Sequence, residues 1–226
     1  MRIHITGASG SGTSTLSLAL ATALNGTHLD ADDYFWLPTS PPFTTQRDSA
    51  ERLAQLLRDL RAHRVTVVAG SVAGWGAELE DSFDLIVFLY LDATTRLERL
   101  RQREAQRFGH ANPAFLEWAA QYDTGTLPGR SLPRQRDWLA ARSCRCMELS
   151  SEVPVNQLVA TVLQSLPKRP PYGTQAFGDA AARARLHCEG AGSTSARSIQ
   201  NRCASSASHS RTSTIAGPGC AVVTNE

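Results

Sequence analysis

Three groups of residues have types and spacing that suit chemistry on a phosphate. The stretch GASGSGTSTL, residues 7–16, sets Gly7 and Gly12 five apart and closes on Ser14, the spacing of a phosphate-binding loop. The lysine of such a loop is missing, and Thr13 stands in its place. Glycines let the backbone wrap around phosphate oxygens with N–H groups pointing inward. The helix that follows adds its N-terminal partial positive charge. Neither contribution needs a lysine. Gly7, Ser9, Gly10, Ser11, Gly12, Thr13, Ser14 and Thr15 are therefore the expected phosphate contacts, and the Ser14 hydroxyl an expected Mg2+ ligand.

The second group is acidic. Asp30, Asp32 and Asp33 end a short apolar stretch and run into Tyr34, Phe35 and Trp36. One carboxylate suits Mg2+, and Asp30 is assigned to it. A second suits an acceptor hydroxyl whose proton must leave, and Asp32 is assigned to that. Asp33 and Tyr34 are expected beside the acceptor, as are Gly70 and Trp75 of GSVAGWG, where glycines leave room for a ligand. The third group is cationic. Arg96, Arg99, Arg103 and Arg107 recur at helical spacing, as a solvated face paired with Glu98 and Glu104 or as a stripe facing a ligand. Lys168 is the one lysine of the chain, so any cation replacing the loop lysine is an arginine or a metal. Arg103 and Arg107 are the candidates on this helix.

The elements that must carry these residues read clearly. Ile3 and Ile5 alternate with polar neighbours in a short strand before the glycine loop. Leu16, Leu20, Ala23 and Leu24 recur at helical spacing after it. THLDADDYF reads as a second strand entering an acidic loop, VTVVAG and DLIVFLYLD as buried strands, and CMEL as a last one. Helices are expected around Leu53–Leu60, over 94–108 and over 155–166. Strands alternating with helices give an α/β fold with a five-stranded parallel sheet between two helical layers. The stretch 109–143, helix-like but broken by Pro113, Gly125, Pro128, Gly129 and Pro133, is expected as a mobile helical lid.

Of 226 residues, 1–166 carry 16 Arg against 18 Asp and Glu, whereas 167–226 carry 7 basic and 3 acidic residues. The first segment is read as the globular domain. The second, rich in Ser, Ala and Arg without apolar periodicity, is read as a disordered tail. Its charge is too diffuse and its aromatics too few for a nucleic-acid surface. Five cysteines without compact spacing argue against a disulfide framework or a zinc site, and Cys144 and Cys146 are expected as small buried residues. The longest apolar run, Leu85–Leu91, is too short for a membrane span, and a cytoplasmic protein is expected.

IHITGASGSGTSTL, HLDADDYFW, VVAGSVAGWG, DLIVFLYLDATTRLERLRQRE and AFLEWAAQYD together resemble the adenylate-kinase-like P-loop kinases, and within them a poorly characterised bacterial branch. The resemblance covers about residues 1–150 and implies the P-loop NTPase fold, ATP and Mg2+. The archaeal-type cytidylate kinases of the wider group similarly carry Thr at the lysine position. The acidic segment resembles the one that shikimate, gluconate and uridine kinases use, and in related kinases the loop after the third strand meets the acceptor. Arg130 resembles the arginine that follows the lid, and by the same resemblance joins the catalytic set. Only HANP joins RFG to AFLEW here, which implies a shortened lid. The expected function is transfer of the ATP γ-phosphate to a nucleoside monophosphate, nucleoside or similar metabolite. The alternative is a nucleotide-binding protein of the same fold without turnover.

Overall fold

The computed structural model describes residues 1–125 and 130–167, so the basic tail expected beyond 167, with Pro128 and Gly129, lies outside the described residues. Five strands form one parallel sheet: β1 (Arg2–Gly7), β2 (Thr27–Asp30), β3 (Thr66–Ala69), β4 (Leu85–Tyr90) and β5 (Arg145–Ser150), in the order β2-β3-β1-β4-β5. Among the described residues eight helices accompany them: α1 (Thr13–Ala23), α2 (Ala31–Phe35), α3 (Ser49–Ala62), α4 (Ala77–Glu80), α5 (Ala93–Phe108), α6 (Pro113–Ala120), α7 (Leu132–Ala140) and α8 (Val155–Ser165).

The strand order fixes where a ligand can sit. From β1 the chain leaves by α1 toward β2, and from β3 it crosses back over β1 to β4. Neighbouring strands β1 and β3 thus send their connections in opposite directions, which opens a crevice at their carboxyl ends. The glycine loop follows β1 and the GSVAGWG loop follows β3, so both border this crevice.

Burial explains which sequence runs were legible. β3 and the first five residues of β4 are buried throughout, as strands covered on both faces must be. One face packs Leu16 and Leu20 of α1 and Leu158 and Val162 of α8 over the sheet, with Ser17 donating to the Val67 carbonyl at 3.0 Å. The other face packs Leu56, Leu57 and Leu60 of α3 with Val68, Val72, Leu79, Phe83 and Ile86.

Four expectations need correcting. The acidic loop is a one-turn helix, α2, because the Asp30 side chain caps it by accepting from the Asp32 N–H at 3.1 Å. Within the span read as a lid, α7 belongs to the body. Its Trp138 and Leu139 pack on the α3-side core, and the Trp138 ring meets buried His4 edge-on at 5.8 Å. Cys146 is exposed and Cys144 half-buried, because β5 is an edge strand. Finally, the arginine stripe of α5 is split: Arg96 is fully buried.

Candidate active site

The glycine loop is shaped by close approach. A side chain at Gly7 would run into the Leu89 carbonyl and Ser11 Oγ. Gly10 has φ 87°, and a Cβ there would lie 2.8 Å from Leu100 Cγ and 2.9 Å from the Arg96 carbonyl. Gly12, at φ 90°, is the N-cap of α1 and offers no side-chain cap, and the first turn holds no acid. The leading N–H groups of α1 are thereby left for an anion. In front of them lies a cleft of about 530 Å³, lined by Gly12, Thr13, Ser14, Arg99, Arg103 and Arg107 among others. Thr15 lines it too, whereas Ser11 is fully buried with its Oγ unpartnered.

The metal pair expected from sequence is brought together. Ser14 Oγ donates to Asp30 Oδ2 at 2.7 Å, although one residue opens α1 and the other ends β2. Gly70, at φ 101°, lets the end of β3 approach this corner: its Cβ would lie 3.0 Å from the Ala31 Cβ and 3.6 Å from Asp30 Oδ1. Ser14 and Asp30 are hard oxygen donors of the kind Mg2+ takes. Among the described residues no group of three or more His, Cys, Asp or Glu could hold a metal, so the remaining ligands would be phosphate and water.

Asp32 sits beyond Asp30 with an exposed edge. Its carboxyl is pushed above the ordinary carboxylate range, first by desolvation and then by Asp30, with Arg130 and Arg103 pulling the other way. Asp33 is raised by the same two causes in the same order. Arg130 also reaches the loop, its Nη2 donating to the Gly7 carbonyl. Arg103 pairs with Glu104 at 3.0 Å and Arg107 lies over Phe108, both on the wall of the cleft.

Two expected acceptor contacts are placed in the core instead. Tyr34 is 9% exposed and its hydroxyl donates to Asp59 at 2.8 Å, pinning α2 to α3. Trp75 is 7% exposed, stacks on Phe35 at 6.3 Å and lies under Arg52. The Ser9 carbonyl accepts from Arg96 Nη1 at 3.5 Å.

Three residues outside the expected site set hold the site together. Buried Arg96 donates to the Ala119 carbonyl at 3.0 Å and pairs with Asp123 at 3.1 Å, tying the glycine loop and α5 to α6. The signal was available, since Arg96 lies one turn before fully buried Leu100. Glu80 accepts from the Gly74 and Gly76 N–H groups at 2.9 and 3.1 Å, from Trp138 Nε1 at 2.5 Å, and pairs with Arg142 at 3.2 Å. It sets the conformation of the GSVAGWG loop, and nothing in its local sequence marks it. Arg99 donates to Ser151 Oγ and to the Ser151 carbonyl at 2.9 and 3.2 Å, fixing the far wall of the cleft.

A glycine loop wrapping an uncapped helix at the switch point of a parallel sheet defines a P-loop protein. The AAA domain family matches residues 3–110. Over 174 residues the chain is 42% identical to YqaC, an uncharacterized protein of Bacillus subtilis (strain 168), covering 73% of this chain and 96% of that one. The chain belongs to the YqaC family. Among solved structures it is similar to a gluconokinase from Sinorhizobium meliloti 1021, at 24% identity and TM-score 0.47, over 72% of this chain and 89% of that one. It is similar also to the shikimate kinase of Acinetobacter baumannii, at 17% identity and TM-score 0.46, over 73% and 91%. No helix among the described residues is long and apolar enough to cross a membrane.

Proposed function

We propose that this protein is a phosphotransferase that binds ATP with Mg2+ and passes the γ-phosphate to a hydroxyl of a small acceptor. The observation that carries this reading is the 2.7 Å contact between Ser14 and Asp30 at the mouth of the uncapped α1. Backbone N–H groups of residues 7–15 hold the phosphates. Ser14 and Asp30 would hold Mg2+, which would supply positive charge to the phosphate oxygens. Asp32 takes the proton of the acceptor hydroxyl as its oxygen bonds to the γ-phosphorus and ADP leaves. A carboxylate raised above its usual range is the better base for this at neutral pH. Arg103, Arg107 and Arg130 offset the charge that Thr13 leaves uncompensated.

Ser14→Ala tests the reading, because it removes the metal-facing hydroxyl and leaves the glycine backbone intact. Titration with MgATP is expected to show affinity falling at least tenfold, with metal-free ATP affected much less. Superimposable titrations would mean that the loop is structural. Thr13 favours a second reading, a protein that binds nucleotide and does not turn it over. Binding without phosphorylated product would support that one.

A further inference from the structure

Beside the glycine loop, two arginines share a small cavity. It holds about 10 Å³ and is lined by Ser9, Arg96, Trp118, Ala119, Tyr122 and Arg130. None of these residues lines the cleft in front of α1, so this is a second space. A volume of this size admits one water-sized body and nothing larger.

The wall is made of donors. Arg96 Nε, Arg130 Nε and the Tyr122 hydroxyl are buried, and each lacks a hydrogen-bond partner among the described residues. The terminal nitrogens of Arg96 are committed elsewhere, to the Ala119 and Ser9 carbonyls at 3.0 and 3.5 Å and to Asp123 at 3.1 Å. Arg130 Nη2 is committed to the Gly7 carbonyl. The carbonyls of the lining residues Ser9 and Ala119 therefore already accept from a guanidinium. Burial pushes the Tyr122 hydroxyl up to about 12, so it keeps its proton and stays a donor at neutral pH.

The charge is unbalanced in the same direction. Asp123 answers Arg96, whereas Arg130 has no ion pair among the described residues. Burial is the largest cost on the Arg130 charge; Tyr122 and Asp32 favour that charge, and Arg96 opposes it. A buried cation is costly until an anion meets it. Water would accept two of the three donors and would have to place two hydrogens of its own on a wall of donors. A spherical anion accepts all three and supplies the missing charge. We propose that this cavity is a halide site, suited to chloride, and that the bound ion clamps the glycine loop through Arg96 and Arg130, which hold the Ser9 and Gly7 carbonyls. The site stands without the phosphotransferase reading; only its effect on MgATP rests on that reading.

The test exchanges the full chain into gluconate, an anion too large for the cavity, and titrates chloride or bromide at constant ionic strength. An ion that binds the folded state alone raises the melting temperature, and a rise of about 3 °C or more is expected with chloride. Bromide quenches tryptophan on contact, and Trp118 lines the cavity. Its quenching is expected to include a saturating component that chloride reverses and that Trp118→Phe removes. Tyr122→Phe, which deletes one donor, is expected to weaken halide binding about tenfold. Replacing gluconate by chloride is expected to tighten MgATP binding several-fold in the parent and less in Tyr122→Phe. Melting temperatures that ignore halide, or quenching that stays linear in bromide, would overturn the site and leave water as its occupant. Halide binding without any change in MgATP affinity would overturn the clamp. No MgATP binding in either buffer would instead overturn the phosphotransferase reading, and the halide titrations would still report on the cavity.

Discussion

His4 makes this protein acid-sensitive, and the sensitivity has a calculable size. Its ring is fully buried in β1, stacked on Phe83 at 4.8 Å, with Nδ1 3.2 Å from the Val68 carbonyl and Nε2 unpartnered. Burial lowers its pKa from 6.5 to about 4. The Val68 hydrogen bond opposes this and Arg130 reinforces it. The folded protein therefore refuses a proton that the unfolded chain accepts below pH 6.5. Stability is complete above pH 6.5, falls as pH drops toward about 4, and levels off once the folded ring also titrates. At about 1.36 kcal/mol per pKa unit, that window is worth roughly 3 kcal/mol. Urea denaturation of the parent and of His4→Leu at a series of pH values from 7 to 4 reads it directly. His4→Leu is expected to lose about 3 kcal/mol less than the parent across the window, whatever its stability at pH 7. Parallel pH curves for the two proteins would refute the assignment of the proton to His4.

Other outcomes follow from the site. Asp32→Asn should abolish phosphoryl transfer while raising stability at neutral pH. A carboxyl whose folded pKa is raised is stabilising below its unfolded value of 3.8 and loses that contribution as pH climbs through the folded value. Thermal melts of the two proteins should therefore separate between pH 4 and 7, and an Asp32→Asn that melts lower at pH 7 would count against the crowding of Asp30 and Asp32. Arg96→Met should cost about 3–5 kcal/mol in denaturant unfolding, since it strands Asp123 and the Ala119 carbonyl without their buried donor. A loss under 1 kcal/mol would mean that the pair is solvated.

The sheet was legible in the sequence for a physical reason. β3 and β4 are covered on both faces, so VTVVAG and DLIVFLYLD are apolar throughout, and no tertiary fact was needed to find them. The glycine loop was legible despite Thr13 because its shape resides in the backbone, which Gly10 and Gly12 encode through positive φ. What failed depends on distant partners. Tyr34 looked like a ligand contact because it follows three acids, and Trp75 because it stands between glycines in GSVAGWG. What satisfies them is Asp59 and Arg52, both on α3. Nothing in AELE marks Glu80, because only the return of α7 past the loop makes it a buried clamp. Arg52 was invisible for the same reason: its rings come from α2 and from the loop after β3.

The central claim is phosphoryl transfer, and it is tested by incubating the full chain with Mg2+, γ-labelled ATP and a panel of nucleoside monophosphates, nucleosides and small hydroxylated metabolites. Label appearing in one acceptor, abolished by Asp32→Asn and by Ser14→Ala, is the result the account predicts. Tight binding of MgATP with no label leaving ATP for any acceptor would contradict it.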